Sequence, residues 1–288
     1  MRLLITGLTS FIGKKLLQEL GDEIEILSIG RKEFYNSRKN ILFLQFEDEN
    51  IEYKIRSFKP DVFLNIASDS RSKFKEIQDY REVTSFNIAV SSFLVDIAIR
   101  SGVNLIVNIS SNWGYMDNLI SPKFFNYYAF TKFALDKYIQ NACFESNCIS
   151  ISLVLYDNFD KYDPRKKIFN LILESIENNI EKDFSPGKQI KNLTRIDDIV
   201  QAIKFSIFNN WKIKNHTYYQ VTGFEISIIE LSNEIANYLN KSNGCIKFGG
   251  LPYRDGEIMK PKYFFEELPY IGERKDDFKT LLKKEILR

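Results

Sequence analysis

Histidine and cysteine are scarce in this sequence. Its 288 residues include one histidine, His216, and three cysteines, at positions 143, 148 and 245. A catalytic triad or a Cys-His pair would therefore depend on His216 alone, which lies at a predicted loop-to-strand edge. The cysteines form no CxxC pair and no Cys/His cluster, so the sequence predicts neither a disulfide framework nor a metal site.

Net charge and long apolar runs are also lacking. The 40 basic and 38 acidic residues leave a net charge of +2, which gives no electrostatic reason to expect a nucleic acid polymer or an anionic membrane as a partner. No apolar run approaches the length of a membrane span, and the run in MRLLITGL is too short for a signal peptide. We therefore expect a soluble, cytoplasmic protein.

Short apolar strands alternate regularly with amphipathic helices in the first half of the chain. Predicted strands cover 2–6, 23–30, 41–46, 61–68, 104–111 and 148–156, and predicted helices cover 11–20, 50–59, 82–101 and 126–142. The strands are nearly continuous in Val, Ile and Leu, which is typical of strands covered on both faces. This pattern predicts an α/β fold: a modified Rossmann, doubly wound parallel sheet.

The alternation is less regular beyond about residue 157. Helices are predicted at 166–179, 196–208 and 226–239 and a short strand at 218–221, whereas KDFSPGKQIKN (182–192) and the tail 248–261 are predicted to be loops. We expect residues 1–160 to form a nucleotide-binding domain. Residues 161–288 would form mainly a small α/β substrate lobe, with some segments returning to the first domain.

The segment TGLTSFIG joins the first predicted strand to the first predicted helix. Its glycines, Gly7 and Gly13, allow backbone N–H groups to meet the pyrophosphate of a dinucleotide, with Phe11 and Ile12 at the helix N-terminus. Two glycines in such a loop can also be purely structural. Ser10 occupies the middle glycine position of the T-G-x-x-G-x-x-G pattern, and we expect a slightly shifted loop in which its hydroxyl bonds phosphate.

The residues after the second strand bear on the choice of cofactor. A carboxylate there would accept hydrogen bonds from a ribose 2′-hydroxyl and favour NAD, but the sequence continues Gly30-Arg31-Lys32, with Glu33 beyond. An arginine at this point can pair with a 2′-phosphate, so the sequence favours NADP(H), with NAD(H) as the alternative. A solvated basic turn would have the same composition.

Tyr128 and Lys132, in YYAFTKFA, share one face of a predicted helix because they are four residues apart. A phenol has an unperturbed pKa of ~10, and a nearby ammonium lowers that pKa toward the working pH, as acid–base catalysis requires. Ser110 and Ser111 end the preceding strand, at the edge where ligands bind in open α/β sheets, and either hydroxyl could polarise a reacting carbonyl. Tyr127 is the competing tyrosine. It is five residues from Lys132, and that spacing directs its side chain away from Lys132.

Taken in order, these segments resemble the extended short-chain dehydrogenases/reductases, the NAD-dependent epimerase/dehydratase family that acts on nucleotide-linked sugars. The resemblance spans nearly the whole chain, through TGLTSFIG, NIAS (65–68), SFNIAVSSFLVDIAIRSGV, ISSNWGY and YAFTK. It implies that Ser111 polarises the carbonyl, with Ser110 as the adjacent alternative, that Tyr128 transfers a proton and that Lys132 assists it. The implied cofactor-binding residues are Gly7, Ser10, Phe11, Ile12, Gly13, Arg31, Ala67, Asn87, Ser110, Tyr128 and Lys132.

Later segments extend the resemblance into the substrate lobe: LVLYDNFDKYDPR, GKQIKNLTRIDDIVQAI and LPYRDGEIM. They imply substrate contacts by Asp157, Lys191 and Arg254, in addition to Ser111 and Trp113, with Arg254 resembling a pyrophosphate-binding arginine. Plain alternatives exist, because Trp113 could pack beneath its loop, Asp157 could cap a strand end, and Arg254 could be an exposed loop charge. Lys191 keeps a charge where relatives often hold an arginine, but it lacks the fork of a guanidinium.

The residues beside Ser111 indicate the reaction type within this family. A 4,6-dehydratase needs an extra acid and base there, whereas this sequence has Asn112 and Trp113, which cannot shuttle a proton. NWGY, DPR and LPYRDGEIMKP resemble the CDP-abequose synthase branch, which reduces the 4-keto group of a CDP-linked dideoxysugar with NADPH. The resemblance therefore implies an NADPH-dependent reductase in surface polysaccharide synthesis. The alternatives are a nucleotide-sugar 4-epimerase with tightly bound NAD and a non-catalytic NADP(H)-sensing regulator.

The resemblance also implies a homodimer, because members of this family usually pair through the helices that correspond to 82–101 and 126–142.

Overall fold

The chain is folded into two compact units. The computed structural model describes residues 1–31, 38–71, 73–117, 119, 122–209, 211–213, 215–269 and 277–287. The first unit contains Met1–Leu155, Ile199–Gln220 and Phe264–Leu268, and the second contains Tyr156–Asp198, Val221–Tyr263 and Pro269–Arg288. Both units are therefore discontinuous in sequence.

An eight-stranded sheet is the centre of the first unit. With strands numbered along the whole chain, it contains β1 (Arg2–Thr6), β2 (Glu25–Gly30), β3 (Ile41–Gln45), β4 (Val62–Asn65), β5 (Leu105–Ser111), β6 (Ile149–Leu155), β10 (His216–Val221) and β13 (Glu266–Glu267). The spatial order is β13-β10-β6-β5-β4-β1-β2-β3, and β1 to β6 pair in parallel. The strand order reverses between β1 and β4, which is where open α/β sheets bind ligands. The predicted doubly wound parallel sheet is confirmed.

The helices of this unit are α1 (Phe11–Glu19), α2 (Ile51–Phe58), α3 (Ile77–Thr84), α4 (Ser91–Arg100), α5 (Tyr127–Phe144) and most of α7 (Ile196–Phe208). The helix predicted at 82–101 is longer than expected, since α3 and α4 are joined by a π-helical segment, Ser85–Val90. Such a segment holds one extra residue in its turn and is frequent at functional sites. Gly102 follows α4 with a φ of 84°, the left-handed conformation that ends many helices.

Aliphatic side chains from the strands and from α4 and α5 form the core of the first unit. The continuous segment 77–100 is long and apolar enough, by length and composition, to cross a membrane. However, Leu94, Val95, Ile97 and Ala98 of this segment are buried in the core against the sheet. Packing within the unit therefore accounts for part of its apolar composition, since 39% of its most apolar window is buried.

The described part of the second unit contains two small sheets. β7 (Asp157–Phe159), β9 (Ile190–Arg195) and β11 (Phe224–Ser227) form one of them, in which β9 is parallel to β7 and antiparallel to β11. The parallel pair of β8 (Lys182–Phe184) and β12 (Ile246–Phe248) forms the other. Helices α6 (Ile168–Asn178), α8 (Ile228–Leu239) and α9 (Phe278–Leu287) complete the unit around a core that includes Phe159, Phe169, Leu231 and Ile235.

The short strands of the second unit differ from the sequence prediction. A loop is predicted at 182–192, but β8 and the start of β9 lie there. Lys182 and Asp183 are exposed and only Phe184 is buried, so β8 offers too few apolar residues for an alternating pattern. The sequence also predicts no element for β12, β13 or α9.

Candidate active site

The glycine turn folds closely on itself. Gly7 has a φ of 79°, and a Cβ there would lie 2.7 Å from the backbone nitrogen of Ala67. A Cβ on Gly13 would lie 2.3 Å from the carbonyl oxygen of Gly7. Both positions therefore require glycine, and Ala67 after β4 forms one wall of the turn.

Ser10 is the N-cap of α1. Its Oγ accepts a hydrogen bond from the Gly13 nitrogen at 3.0 Å, and its φ and ψ are the extended values typical of this position. The hydroxyl is predicted to bond phosphate, and because it accepts a hydrogen bond as the cap, its proton remains free for that purpose. The helix begins at Phe11, with Ile12 buried behind it. A helix N-terminus beside two obligatory glycines fits the pyrophosphate of a dinucleotide.

Arg31 lies just beyond β2 and is exposed. Its guanidinium carbon lies 5.4 Å from the centre of the Phe86 ring, and that ring contacts Phe46 edge-to-face at 5.1 Å between centroids. The arginine is thus supported on one side by an aromatic ring while its charge faces solvent. Lys32 and Glu33, which follow it, lie outside the described residues.

Ser111 and Tyr128 each contact Trp113. Ser111 is the last residue of β5, and its Oγ accepts a hydrogen bond from the Trp113 nitrogen at 3.3 Å in the 3-10 turn 112–114. The Trp113 ring meets Tyr128 edge-to-face, with centroids 6.4 Å apart, and packs on Phe125 at 4.8 Å. The indole therefore lies beside the candidate catalytic tyrosine and packs on Phe125 of its own loop, while its predicted contact with substrate stays a proposal.

Lys132 lies one helical turn after Tyr128 and is only 2% exposed. Burial lowers the pKa of this lysine from its ordinary value to about 8, and the negative charge of Asp136 opposes that decrease. The ammonium form thus remains the main form at neutral pH.

Tyr127, the competing tyrosine, is engaged elsewhere. Its hydroxyl hydrogen-bonds with Thr84 Oγ1 at 2.6 Å, and its ring contacts Phe74 and Tyr80 at 5.4 and 4.9 Å between centroids. The packing of α5 therefore turns Tyr127 away from Lys132, as its spacing predicts.

Ser110, the alternative serine, is 3% exposed, and its hydroxyl donates a hydrogen bond to Asp136 Oδ2.

Asn87 is also engaged within the protein. Its Nδ2 donates hydrogen bonds to Asp69 O at 3.0 Å and to Thr131 Oγ1 at 2.9 Å, and its Oδ1 accepts one from the Asp69 nitrogen at 2.7 Å. The Asn87 side chain thus joins the loop after β4 to α5, next to Lys132. Its predicted contact with a cofactor stays a proposal.

The predicted substrate residues of the second unit have different surroundings. Lys191 Nζ pairs with Glu257 Oε1 at 3.1 Å, and Glu257 follows Arg254, which is exposed, by three residues in one loop. Asp157 begins β7 and is half-buried. The structure therefore brings Lys191 to the loop of Arg254, although part of its charge is already neutralised.

Sequence reasoning missed Asn158, the neighbour of Asp157. Its Oδ1 accepts hydrogen bonds from Lys167 Nζ at 2.5 Å and from Arg165 at 3.2 Å. Burial, with the Arg165 charge as a smaller cause, lowers the pKa of Lys167 to about 8. The signal available in the sequence was the run of basic residues from Arg165 to Lys167.

His216 is the first residue of β10. Its Nδ1 hydrogen-bonds with Ser150 Oγ at 2.7 Å, and burial lowers the pKa of the imidazole to about 4. The ring is therefore neutral at physiological pH. The three cysteines are free and buried.

The sheet order, the glycine turn and the strand-end crevice together define a Rossmann-type α/β protein. Within that class, the model of the NAD dependent epimerase/dehydratase family matches residues 3–221, and the chain belongs to this family. The family assignment thus confirms the resemblance seen in the sequence.

Individual relatives are more distant. A CDP-abequose synthase of Yersinia pseudotuberculosis is 24% identical, over 97% of this chain and 98% of the relative. Among solved structures, MoeE5 in complex with UDP-glucose and NAD has a TM-score of 0.81 at 15% identity, covering 100% of this chain and 98% of the other. UDP-glucose 4-epimerase of Thermotoga maritima, with UDP-glucose, has a TM-score of 0.80 at 17% identity, covering 100% and 98%. These structural likenesses support the fold.

Proposed function

We propose that the protein reduces the 4-keto group of a nucleotide-linked deoxysugar with NADPH, for surface polysaccharide synthesis. The main support is the arrangement around Trp113, which places the Ser111 turn beside Tyr128, one helical turn from the buried Lys132. Ketone reduction needs a polarising hydroxyl, a proton donor and a cation beside that donor, and these three groups supply them.

Each residue has a defined role in this reaction. The cofactor, when bound, supplies the hydride that reduces the carbonyl carbon. The Ser111 hydroxyl hydrogen-bonds the carbonyl oxygen as negative charge develops there, and the Tyr128 hydroxyl donates its proton to that oxygen. The Lys132 ammonium stabilises the phenolate that remains, which lowers the cost of proton transfer.

Elimination is disfavoured by the residues that follow Ser111. Asn112 and Trp113 form the 3-10 turn, where a dehydratase would require a carboxylic acid and a base. An amide and an indole do not exchange protons near neutral pH. The name of the Yersinia relative, CDP-abequose synthase, agrees with reduction of a CDP-linked sugar.

Substrate binding is assigned to Ser111 and Trp113 in the first unit and to Asp157, Lys191 and Arg254 in the second. Arg254 is exposed on its loop and offers a bidentate guanidinium for the pyrophosphate. Lys191 would add charge only in part, because it is paired with Glu257.

This function can be tested by incubating the protein and NADPH with a panel of freshly prepared 4-keto nucleotide sugars that carry different bases. We expect NADPH to be consumed stoichiometrically with one of them, followed at the absorbance band of reduced nicotinamide. An epimerase, the alternative, would purify with NAD bound and would interconvert sugars without net consumption of NADPH. That outcome would refute the reductase assignment.

Arg31 is proposed to select NADP(H) by pairing with the 2′-phosphate. Because a hydrogen bond to a charged group contributes about 1.5–3 kcal/mol, Arg31→Ala should raise KM for NADPH by roughly tenfold to a hundredfold. The KM for NADH should not change, since NADH lacks that phosphate. Steady-state kinetics with both cofactors measure the two effects.

Arg56→Ala is a matched control for this substitution. Arg56 lies on the surface of α2 and pairs with Glu52 at 2.7 Å. Its removal deletes the same charge without altering either KM. An equal increase in both cofactor KM values for Arg31→Ala would contradict selection by the 2′-phosphate.

We also propose that the protein acts in the cytoplasm as a homodimer that pairs through α4 and α5. Phe93 on α4 and Phe130 on α5 are 45% and 39% exposed, and Tyr138, also on α5, is 36% exposed. Large apolar side chains on two adjacent helices are typical of a surface that a second copy covers.

A further inference from the structure

Asp136 is a fully buried carboxylate on α5, and four side chains donate hydrogen bonds to it. Asn108 Nδ2 and Ser152 Oγ donate to its Oδ1 at 2.7 and 2.6 Å. Tyr115 donates to its Oδ2 at 2.9 Å, and Ser110 donates to the same oxygen. Four donors match the acceptor capacity of an ionised carboxylate, so this buried charge is satisfied by neutral groups.

Asn108, one of these donors, is the last member of a chain of side-chain hydrogen bonds that runs across the sheet from β1 to Asp136. Thr6, Asn65, Asn108 and Ser152 lie opposite one another on β1, β4, β5 and β6. Thr6 Oγ1 donates to Asn65 Oδ1 at 2.7 Å, and Asn65 Nδ2 donates to Asn108 Oδ1 at 2.8 Å. Because the carboxylate only accepts, Asn108 must present its amide protons to Asp136, which sets the direction of every bond back to Thr6 beside the glycine turn.

The other donors hold the segment that carries Ser111. The hydrogen bond from Ser110 to Asp136 anchors the residue directly before Ser111, at the end of β5. The hydroxyl of Tyr115 ties the end of the 3-10 turn to the same carboxylate. Asp136 therefore fixes both ends of the turn that contains Trp113.

Lys132 lies four residues before Asp136 on the same face of α5. The Asp136 charge is the influence that raises the pKa of this buried lysine, against the desolvation that lowers it. A negative charge satisfied by neutral donors still acts on the lysine through space.

The imidazole and the two buried phenols near Asp136 do not ionise between pH 7 and 9, whereas Lys137 needs separate treatment. Burial keeps the pKa of His216 at about 4, and burial raises the pKa of both Tyr115 and Tyr218 above the ordinary value. Lys137 follows Asp136 on α5, and burial lowers its pKa, so it must be resolved from Lys132 in any titration.

We propose that Asp136 is a positioning residue of this site, which fixes the Ser111 turn by hydrogen bonds and attracts the Lys132 ammonium one helical turn away. Its effect on catalysis rests on the proposed reduction. Its effect on Lys132 does not, and can be measured without substrate.

The test replaces the charge with an isosteric amide, Asp136→Asn, in protein labelled with 13C at the lysine side chains. The Lys132 signal, assigned by its absence in Lys132→Arg, should titrate near pH 8 in the natural protein. It should titrate about one pH unit lower in Asp136→Asn, because an opposite charge nearby supports the ammonium by that amount or more. In the pH profile of kcat/KM, the midpoint of the alkaline limb should shift to lower pH by the same amount.

Ser152→Ala is the matched control, since it removes one hydrogen bond from the same carboxylate and keeps its charge. The proposal expects its Lys132 midpoint to stay near that of the natural protein. An unchanged Lys132 midpoint in folded Asp136→Asn would overturn the proposal and leave Asp136 a purely structural residue.

If Asp136→Asn does not fold, an apolar replacement of the cluster provides the second variant. Asp136→Leu with Ser110→Ala and Ser152→Ala removes the charge together with two of its donors, which buried sites tolerate better than a single unpaired group. The same lowered midpoint is expected, and an unchanged midpoint overturns the proposal. A shifted midpoint in a protein that reduces no 4-keto sugar would refute the proposed function alone.

Discussion

Replacing Tyr128 with phenylalanine is expected to reduce kcat by about 10³-fold, because general acid catalysis by a positioned side chain contributes on the order of 10²–10⁴. The substitution removes only the proton donor. The ring can keep its edge-to-face contact with Trp113, so the pocket wall should persist. Affinity for NADPH, measured by fluorescence titration, should change by less than about threefold, or ~0.65 kcal/mol, because the substitution removes a single hydroxyl and keeps the ring.

Tyr127→Phe is the control, since it removes the same hydroxyl from the neighbouring residue. That hydroxyl bonds Thr84 on α3, so its loss should cost about 1 kcal/mol of stability and leave kcat nearly unchanged. Thermal unfolding and steady-state kinetics of both variants separate the two effects. Comparable loss of kcat in both variants, or retained turnover in Tyr128→Phe, would remove Tyr128 from its proposed role.

The first unit could be predicted from sequence because its elements are long and its signals local. Strands such as β1 and β5 are buried on both faces and appear as continuous apolar runs. The second unit depends on contacts between distant segments. β9 pairs with β7 and β11, and its residues Lys191 and Asn192 interrupt any apolar run, so it is recognisable only once its partners are known.

The same distinction applies to the candidate site. Tyr128 and Lys132 were found because four-residue spacing on a helix is visible in the sequence. Asp136 has the same spacing from Lys132, but its importance depends on donors from β5, β6 and the loop after β5. The capping role of Ser10 was missed because phosphate binding and helix capping use the same hydroxyl at the same position.

Gly13→Ala is expected to have the second large effect, on both stability and cofactor binding. The added Cβ would lie 2.3 Å from Gly7 O and 2.7 Å from Leu8 Cα, which are backbone atoms that cannot rotate away. The helix and the turn must therefore separate, and overpacking of this kind costs about 1–3 kcal/mol. Because the shift moves the N–H groups offered to the pyrophosphate, we expect NADPH affinity to fall by at least about tenfold, or ~1.4 kcal/mol.

Gly21→Ala, just beyond the other end of α1, distinguishes this crowding from a general loss of glycine. The closest atoms to its added Cβ belong to the Glu23 carboxylate, on an exposed side chain that can swing into solvent. The free energy of unfolding of Gly21→Ala should differ from that of the natural protein by less than about 0.5 kcal/mol, which is usual for surface substitutions. Its affinity for NADPH should be unchanged. Chemical denaturation and cofactor titration measure both quantities. Equal NADPH affinity in the two variants would mean that the glycine turn does not hold the pyrophosphate, since only Gly13→Ala forces the turn and α1 apart.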